Sequence, residues 1–369
     1  MKILQLGKFY PIRGGVEKVM YDIMIGLNAR GVECDMMCAE SDGSGSVRNI
    51  DSHARLLTYR MWLKLASTTI APSMVAALRS IAADYDIIHV HHPDPMAAIA
   101  LKMSGYKGKV VLHWHSDIIK NKPMLSMYLP LQEWLIERAD LVVGTSPEYL
   151  ASSPYLTDVK HKTLCIPIGI KPMTRDEKGA ARIRQLYGDR KIVFSLGRLI
   201  PYKGFSHLIA SATELPDDYV VVIGGEGPLK SELESLRDSL GLYGKVFLTG
   251  MLPQEDLAAY YTASHIFSLP SVMKTEAFGI VQIEAMSLGK PVVATRIAGS
   301  GTAWVNSHGE SGLNVDVEDS AALAKAILTI DQTPQQYQRF SDGARKRFES
   351  LFTFDKMIDN CLDLYRRLI

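Results

Sequence analysis

The sequence predicts an α/β protein built as two Rossmann-like, doubly wound lobes facing a central cleft. Three observations lead there. Short apolar runs alternate with helical patterns through both halves of the 369 residues, the pattern of a parallel sheet covered by helices on both faces. A stiff connector with two prolines around a glycine, Ile166-Pro167-Ile168-Gly169-Ile170-Lys171-Pro172, interrupts the alternation near the middle. The length suits two domains with ordinary cores. The expected division is 1–170 for an N-terminal lobe and 171–351 for a C-terminal lobe, with 352–369 following them.

In the first lobe Ile3–Leu6, Cys34–Ala39, Ile87–Val90, Val110–His113 and Leu141–Gly144 read as strands, and Val16–Arg30, Pro72–Ala83 and Met124–Arg138 as helices. After the connector the pattern restarts. Lys191–Leu196, Tyr219–Ile223, Val246–Thr249, Ile266–Leu269 and Val292–Thr295 read as strands. Helices fit Gly204–Thr213, Pro228–Leu240, Gln254–Ala263, Ile280–Leu288, Ala321–Ile330 and Pro334–Phe348. The segment Phe352–Ile369 is one more amphipathic helix. Open parallel sheets bind ligands beyond the carboxyl ends of their strands, so functional residues are sought in the loops that follow strands.

Composition narrows the function. A net charge of +1 gives no global pull toward nucleic acid. Cys34, Cys38, Cys165 and Cys361 form no CxxC pair and read as core thiols of a reduced, cytosolic protein. No signal peptide pattern precedes the first strand and no apolar run has the length of a membrane span. The expected location is cytoplasmic.

The most informative segment is Glu276-Ala277-Phe278-Gly279-Ile280-Val281-Gln282-Ile283-Glu284. Two carboxylates flank a Phe-Gly turn that opens an apolar helix, and buried carboxylates need partners or a ligand. Free N–H groups at that helix start point at negative charge. Eight residues of helix span roughly 12 Å, enough for Glu276 and Glu284 to hold the two ends of a nucleotide sugar. Arg198 and Lys203, in Gly197–Gly204, follow one strand and precede a helix. They read either as phosphate ligands or as two solvated cations. Gly224-Gly225-Glu226-Gly227-Pro228 is a strand-to-helix turn without a third glycine at the dinucleotide offset, so it is ligand approach or plain turn chemistry. Gly14 and Gly15, in the loop Lys8–Glu17, allow close approach of a phosphate or simply a tight turn. His115 ends a first-lobe strand, near His113, His89, His91 and His92. No spacing among these matches a helical zinc pair, and no metal is expected.

With these residues assembled, the chain resembles glycosyltransferase family 4, retaining nucleotide-sugar transferases of the glycosyltransferase-B fold. The resemblance covers nearly the whole length. Its most specific part is Glu276–Glu284, with Gly197–Gly204 and Gly14-Gly15 in the right order. Glu276–Gln282 together with Trp304–Gly309 is similar to bacterial mannosyl- and rhamnosyltransferases of surface-polysaccharide assembly. The family pattern after the connector is Pro-Asn-Gly-x-Asp, where this chain has Pro167-Ile168-Gly169-Ile170-Lys171.

The resemblance implies roles. Arg198 and Lys203 bind the donor diphosphate and stabilise it as it leaves. Glu284 holds the ribose. Glu276 and the backbone of Ala277, Phe278, Gly279 and Ile280 hold the transferred sugar and its phosphate. Gly250 and Met251 meet the base, Gly14 and Gly15 line the phosphate from the other lobe, and His115 touches the sugar. The N-terminal lobe binds the acceptor, and 352–369 crosses back onto it. No cofactor is implied. The donor is expected to be GDP-mannose, with a UDP-sugar second, and the acceptor a glycan or a polyprenyl-diphosphate-linked sugar. Basic and large apolar residues in Arg55–Lys64 and Lys120–Tyr128 suit either contact with an anionic membrane at its inner face or amphipathic helices packing on the core. Two other readings stand beside transfer: a nucleotide-sugar epimerase or hydrolase of the same fold, and a non-catalytic binding subunit. A Rossmann dehydrogenase is disfavoured, since Lys8-Phe9-Tyr10-Pro11 replaces GxGxxG.

Overall fold

The computed structural model describes the chain apart from residues 13, 66, 67 and 119–121 and the side chains of 64, 65, 68 and 122–124. The chain divides into two compact units, Met1–Gly169 with Phe354–Ile369, and Ile170–Thr353.

Unit 1 opens with β1 (Lys2–Tyr10), α1 (Gly15–Asn28), β2 (Glu33–Glu40), β3 (Gly45–Asn49), β4 (Arg55–Arg60), β5 (Leu63–Leu65), β6 (Thr68–Ile70) and α2 (Pro72–Ile81). It continues with β7 (Ile87–His92), α3 (Pro95–Ser104), β8 (Lys109–Trp114), α4 (Lys122–Arg138), β9 (Leu141–Gly144), α5 (Pro147–Ser152) and β10 (Thr163–Cys165). The sheet order is β10-β9-β8-β7-β1-β2-β4-β3. All these neighbours pair in parallel except β3, which runs antiparallel to β4 at the edge. That edge departs from the purely parallel sheet the alternation implies. β5 and β6 form a separate antiparallel hairpin.

The segment Arg55–Lys64 is not a helix of either expected kind. It folds as β4 and the start of β5, because Leu56, Leu57 and Thr58 are buried in succession inside the sheet. Arg55 is tied down by Asp35 of β2, with Nη2 2.6 Å from Oδ2. Lys120 and Asn121 of the second basic segment lie outside the described residues. The short helix α3 carries a legible start: Asp94 accepts from the N–H groups of Met96 and Ala97, and Pro95 occupies the first turn.

Unit 2 comprises α6 (Glu177–Leu186), β11 (Lys191–Leu196), α7 (Phe205–Ser211), β12 (Tyr219–Gly224), α8 (Lys230–Ser239), β13 (Val246–Gly250), α9 (Gln254–Ala263) and β14 (Ile266–Leu269). After these come α10 (Ile280–Ser287), β15 (Val292–Thr295), α11 (Thr302–Val305), β16 (Gly312–Val315), α12 (Ser320–Ile330) and α13 (Pro334–Leu351). Its sheet, β13-β12-β11-β14-β15-β16, is parallel throughout. The inner strands β12, β14 and β15 are buried at every position, as a sheet covered on both faces requires, while the edge strands β13 and β16 are partly exposed.

The last helix, α14 (Phe354–Arg366), belongs to unit 1. It buries Met357, Ile358, Cys361, Leu362, Leu364 and Tyr365, one apolar stripe at helical spacing. Ile358 lies so close to Gly26 of α1 that a Cβ there would come within 2.4 Å of its side chain. Arg30 pairs with Asp355 and Asp359 across the same contact.

Each sheet has one place where the strand order reverses. In unit 2 it lies between β11 and β14, and in unit 1 between β1 and β7. Loops leaving neighbouring strands there diverge and open a crevice at the carboxyl edge.

Candidate functional site

In unit 2 the predicted residues Arg198, Lys203 and Glu276 converge on that reversal, whereas Gly250 and Met251 lie at the end of the edge strand β13. The loop after β11 carries Arg198 and Lys203, and the loop after β14 carries Glu276. The two loops are joined by the Val272 N–H donating to the Tyr202 carbonyl at 2.8 Å. Gly204 is left-handed (φ +66°), and a Cβ there would lie 2.1 Å from the Pro270 oxygen. Glycine at 204 is therefore required twice, by conformation and by approach.

Lys203 and Glu276 are both buried, with Nζ 2.5 Å from Oε2. The same carboxylate oxygen accepts from Ser271 Oγ at 3.0 Å, and Ser300 Oγ donates to the Glu276 carbonyl. Lys203 is thus neither a solvated cation nor an unoccupied one. An ammonium has three donors, and Glu276 takes one. Arg198 differs: it is exposed, and its guanidinium makes no hydrogen bond or ion pair among the described residues.

Gly279 precedes α10 in the left-handed region (φ +79°). It turns the chain so that the N–H groups of Ala277, Phe278, Gly279 and Ile280 donate to no group among the described residues. A run of free N–H groups at a helix start is a cradle for an anion. Four residues into the helix, Glu284 is half-buried and accepts from Tyr261 Oη at 2.6 Å. Burial holds its carboxyl above the usual range, while the Tyr261 hydrogen bond works the other way.

The glycines of 224–228 have a packing reason rather than a ligand. A Cβ at Gly225 (φ +134°) would meet the Gly197 oxygen at 2.0 Å, and one at Gly227 would meet the Leu199 oxygen at 2.3 Å. This turn braces the Arg198 loop from behind, with Leu199 N–H donating to the Glu226 carbonyl. Gly250 ends β13, and its carbonyl oxygen accepts from the Gly225 N–H at 2.7 Å. Met251 beside it is exposed.

In unit 1 the loop after β1 leads to Gly14, the cap of α1, and to Gly15 in its first turn. Gly14 is extended (φ −141°), so its conformation does not require glycine. The Glu17 carboxylate folds over it, 2.5 Å from where a Cβ would sit. Arg13 of this loop lies outside the described residues. His115 follows β8 and is 5% exposed. His89, His91, His92, His113 and His115 are all buried, and burial pushes every one of these imidazoles down, His92 and His113 to about 3.

His89, His91 and His113 bring ligand nitrogens within 4.8 Å of one another, a proximity that sequence spacing did not suggest. It arises because His91 and His113 are in register on adjacent parallel strands. The rings stack, with planes only 13–26° apart, so their in-plane lone pairs run side by side instead of converging as metal coordination requires. His91 also has both nitrogens engaged, by His115 and Gln5.

Sequence reasoning missed Ser271, Tyr261 and Gln5. Ser271 meets Glu276 within one loop, while Tyr261 and Gln5 reach their partners through the fold, where no local spacing marks them.

Comparison with known proteins identifies the family and the fold. The profile of Glycosyltransferase Family 4 matches residues 13–169, and that of Glycosyl transferases group 1 matches 177–347. The chain is 32% identical to O-antigen chain mannosyltransferase C of Escherichia coli, covering 100% of this chain and 99% of that one. It is likewise 32% identical to D-rhamnosyltransferase WbpZ of Pseudomonas aeruginosa, over 96% and 92%. Among solved structures, sucrose-phosphate synthase from Thermosynechococcus elongatus superimposes with a TM-score of 0.81 at 25% identity, over 100% and 99% of the two chains. Anabaena HepE in complex with UDP gives 0.81 at 23%, over the full length of both. Two Rossmann-like units, the second carrying the paired glutamates, the Lys203–Glu276 contact and the N–H cradle, thus accompany 32% identity over the full length to a named glycosyltransferase, and the chain belongs to glycosyltransferase family 4, with the glycosyltransferase-B fold.

Proposed function

We propose that the protein moves a hexose, mannose or a related sugar, from a nucleotide diphosphate sugar to a glycan or polyprenyl-diphosphate-linked acceptor during surface-polysaccharide assembly, with retention of anomeric configuration. The observation that carries this reading is the cradle at the β11/β14 reversal. Four free N–H groups lie in the loop of Glu276, which is bound to Lys203. GDP-mannose is the first donor to test and a UDP-sugar the second. The relatives named as a mannosyltransferase and a rhamnosyltransferase support that order. HepE was solved with UDP-glucose, which keeps the second open.

In this reading the donor diphosphate lies against the N–H groups of Ala277 to Ile280 and the cations of Arg198 and Lys203. In unit 1, Gly14 and Gly15 keep the phosphate role and His115 the sugar role that the family resemblance implies. Glu284, held by Tyr261, takes the ribose hydroxyls, Gly250 and Met251 meet the base, and Glu276 touches the sugar. The bond from the anomeric carbon to the phosphate oxygen breaks while the acceptor oxygen attacks from the same face. The acceptor proton passes to the departing phosphate oxygen. Charge therefore grows on the diphosphate as positive charge grows on the sugar ring. Fixed donors stabilise that charge without reorganising. Lys203 serves both ends, since one of its protons bonds Glu276 and the others remain for phosphate.

No helix among the described residues is long and apolar enough to cross a membrane. Trp62 and Leu63, beside the basic end of β4, and Met127 of α4 are exposed. They are the residues through which peripheral contact with an anionic bilayer would occur at its inner face.

The test is a nucleotide-sugar panel. The correct donor at a hundred times its dissociation constant adds about 2.7 kcal/mol of stability and releases nucleoside diphosphate only when a lipid-linked or glycan acceptor is present. Anomeric NMR of the product reads the configuration. Free sugar or an epimer formed without acceptor would favour the hydrolase or epimerase instead. Tight binding with no turnover would favour a silent binding subunit.

A further inference from the structure

Four histidine rings stack together, His89 and His91 on β7, His113 on β8 and His115 just after it. Their centroids are 4.8 Å apart for His89 and His91, 5.2 Å for His91 and His115, and 4.0 Å for His113 and His115. The transfer chemistry above uses only His115. Behind it runs a continuous polar chain inside unit 1. His115 Nε2 faces His91 Nδ1 at 2.9 Å, and His91 Nε2 faces Gln5 Oε1 at 2.8 Å. Gln5 Nε2 donates to the Tyr365 hydroxyl at 3.2 Å, and that hydroxyl meets His89 Nδ1. Gln5, His89 and His91 are 0% exposed, so water does not compete along this chain.

The direction of every bond follows from Gln5. Its amide nitrogen faces the Tyr365 hydroxyl and the Cys34 sulfur at 3.6 Å, which leaves its oxygen toward His91. An amide oxygen only accepts, so His91 carries its proton on Nε2. Burial keeps His91 neutral, and its Nδ1 is therefore a bare lone pair. The nitrogen facing that lone pair, His115 Nε2, must donate. A neutral His115 protonated at Nε2 presents Nδ1 as a pure acceptor. The Tyr365 hydroxyl, accepting from Gln5, donates onward to His89 Nδ1.

We propose that Gln5, acting through His91, locks His115 in the Nε2–H tautomer, and that Tyr365 of the C-terminal helix anchors the Gln5 amide, so that His115 Nδ1 stands ready to accept a hydrogen bond from a sugar hydroxyl. Gln5, His91 and Tyr365 are positioning residues in this scheme. The scheme rests on the reading of His115 as a residue that touches the sugar. It adds a specificity: the group recognised is a hydroxyl that donates, so a donor sugar with that hydroxyl methylated or replaced by fluorine loses the contact.

The experiment is a two-bond proton–nitrogen NMR correlation on the full chain labelled with nitrogen-15 histidine, without donor. The expected result is a protonated Nε2 and an unprotonated Nδ1 on His115, assigned by loss of the signals in His115→Ala. A protonated Nδ1, or an averaged pair of signals, overturns the proposal. Gln5→Leu should mix the two tautomers and lower kcat by roughly 10–100-fold, the loss typical when an outer partner that orients a histidine is removed, with donor KM changed less. Tyr365→Phe, which keeps the packing, should give a smaller change of the same kind. A normal tautomer with normal kcat in both variants would also overturn it. Unchanged kcat in His115→Ala would overturn the sugar-contact reading alone, because the nitrogen signals report the lock independently.

Discussion

Lowering the pH from 7.5 to 5.5 should cost unit 1 most of its stability. His89, His91, His92, His113 and His115 are buried and held neutral, all with pKa values shifted down by burial. In the unfolded chain each titrates near 6.5. The unfolded state therefore takes up protons that the folded state refuses, and stability present above pH 6.5 is lost as the pH falls through it. Between pH 7.5 and 5.5 each such histidine contributes about 1.4 kcal/mol of loss, so the five together give about 7 kcal/mol. That is comparable with the total stability of an ordinary domain, about 5–15 kcal/mol. Two groups facing the cluster modulate it. Asp94, raised by burial, gains its proton earlier in the folded state and opposes the loss, while Lys8, bonded to the Pro93 carbonyl and lowered by burial, repels any proton arriving on the rings. Urea unfolding at stepped pH, followed by near-ultraviolet circular dichroism, measures the slope. A loss below about 2 kcal/mol over this range would mean that the rings accept protons in place, and the reasoning would fail.

Lys203→Ala should reduce turnover by roughly 10²–10³-fold as a leaving-group clamp is lost, and steady-state rates near wild type would contradict that role. The same change leaves Glu276 buried with Ser271 as its remaining side-chain partner, so thermal unfolding should report about 3–5 kcal/mol of destabilisation, relieved when Glu276→Gln is added. Tyr261→Phe removes the hydrogen bond that favours the charged form of Glu284. A bond to a charged group contributes about 1.5–3 kcal/mol, so donor KM should rise about tenfold or more with kcat nearly constant. Gly225→Ala drives a Cβ into the Gly197 oxygen and should destabilise unit 2 while weakening donor binding through the displaced Arg198 loop, which calorimetry with the donor would detect. Flotation with phosphatidylserine vesicles should capture the protein, and Trp62→Ala should weaken the capture.

What the sequence made legible was local. Gly279 before the mostly apolar Ile280–Ser287 announces a left-handed turn into a buried helix, and Asp94-Pro95 announces the start of α3, a helix absent from the expected elements. The parallel alternation was legible because β11, β12, β14 and β15 are near-continuous apolar runs. Arg55–Arg60 misled because a charged residue at each end of a short apolar core fits a helix face as well as a strand. Long-range partners left no trace in spacing. Tyr261 holds Glu284 from another helix, Tyr365 reaches Gln5 from the far end of the chain, and Lys203 meets Glu276 only because β11 and β14 are neighbours in the sheet. The glycines at 225 and 227 were visible, but their reason, a neighbouring backbone, was not.

Because α14 joins the first 169 residues, unit 1 is sewn from segments that leave the ribosome far apart in time. All of Ile170–Thr353 must be translated before Ile358, Cys361 and Tyr365 reach the groove beside α1. At about 5–20 residues per second the nascent sheet waits about 10–40 s with that groove open. Unit 2, continuous in sequence, has everything it needs to finish first. Vectorial synthesis thus imposes an order on maturation: the later-encoded unit closes early, and the earlier one matures last.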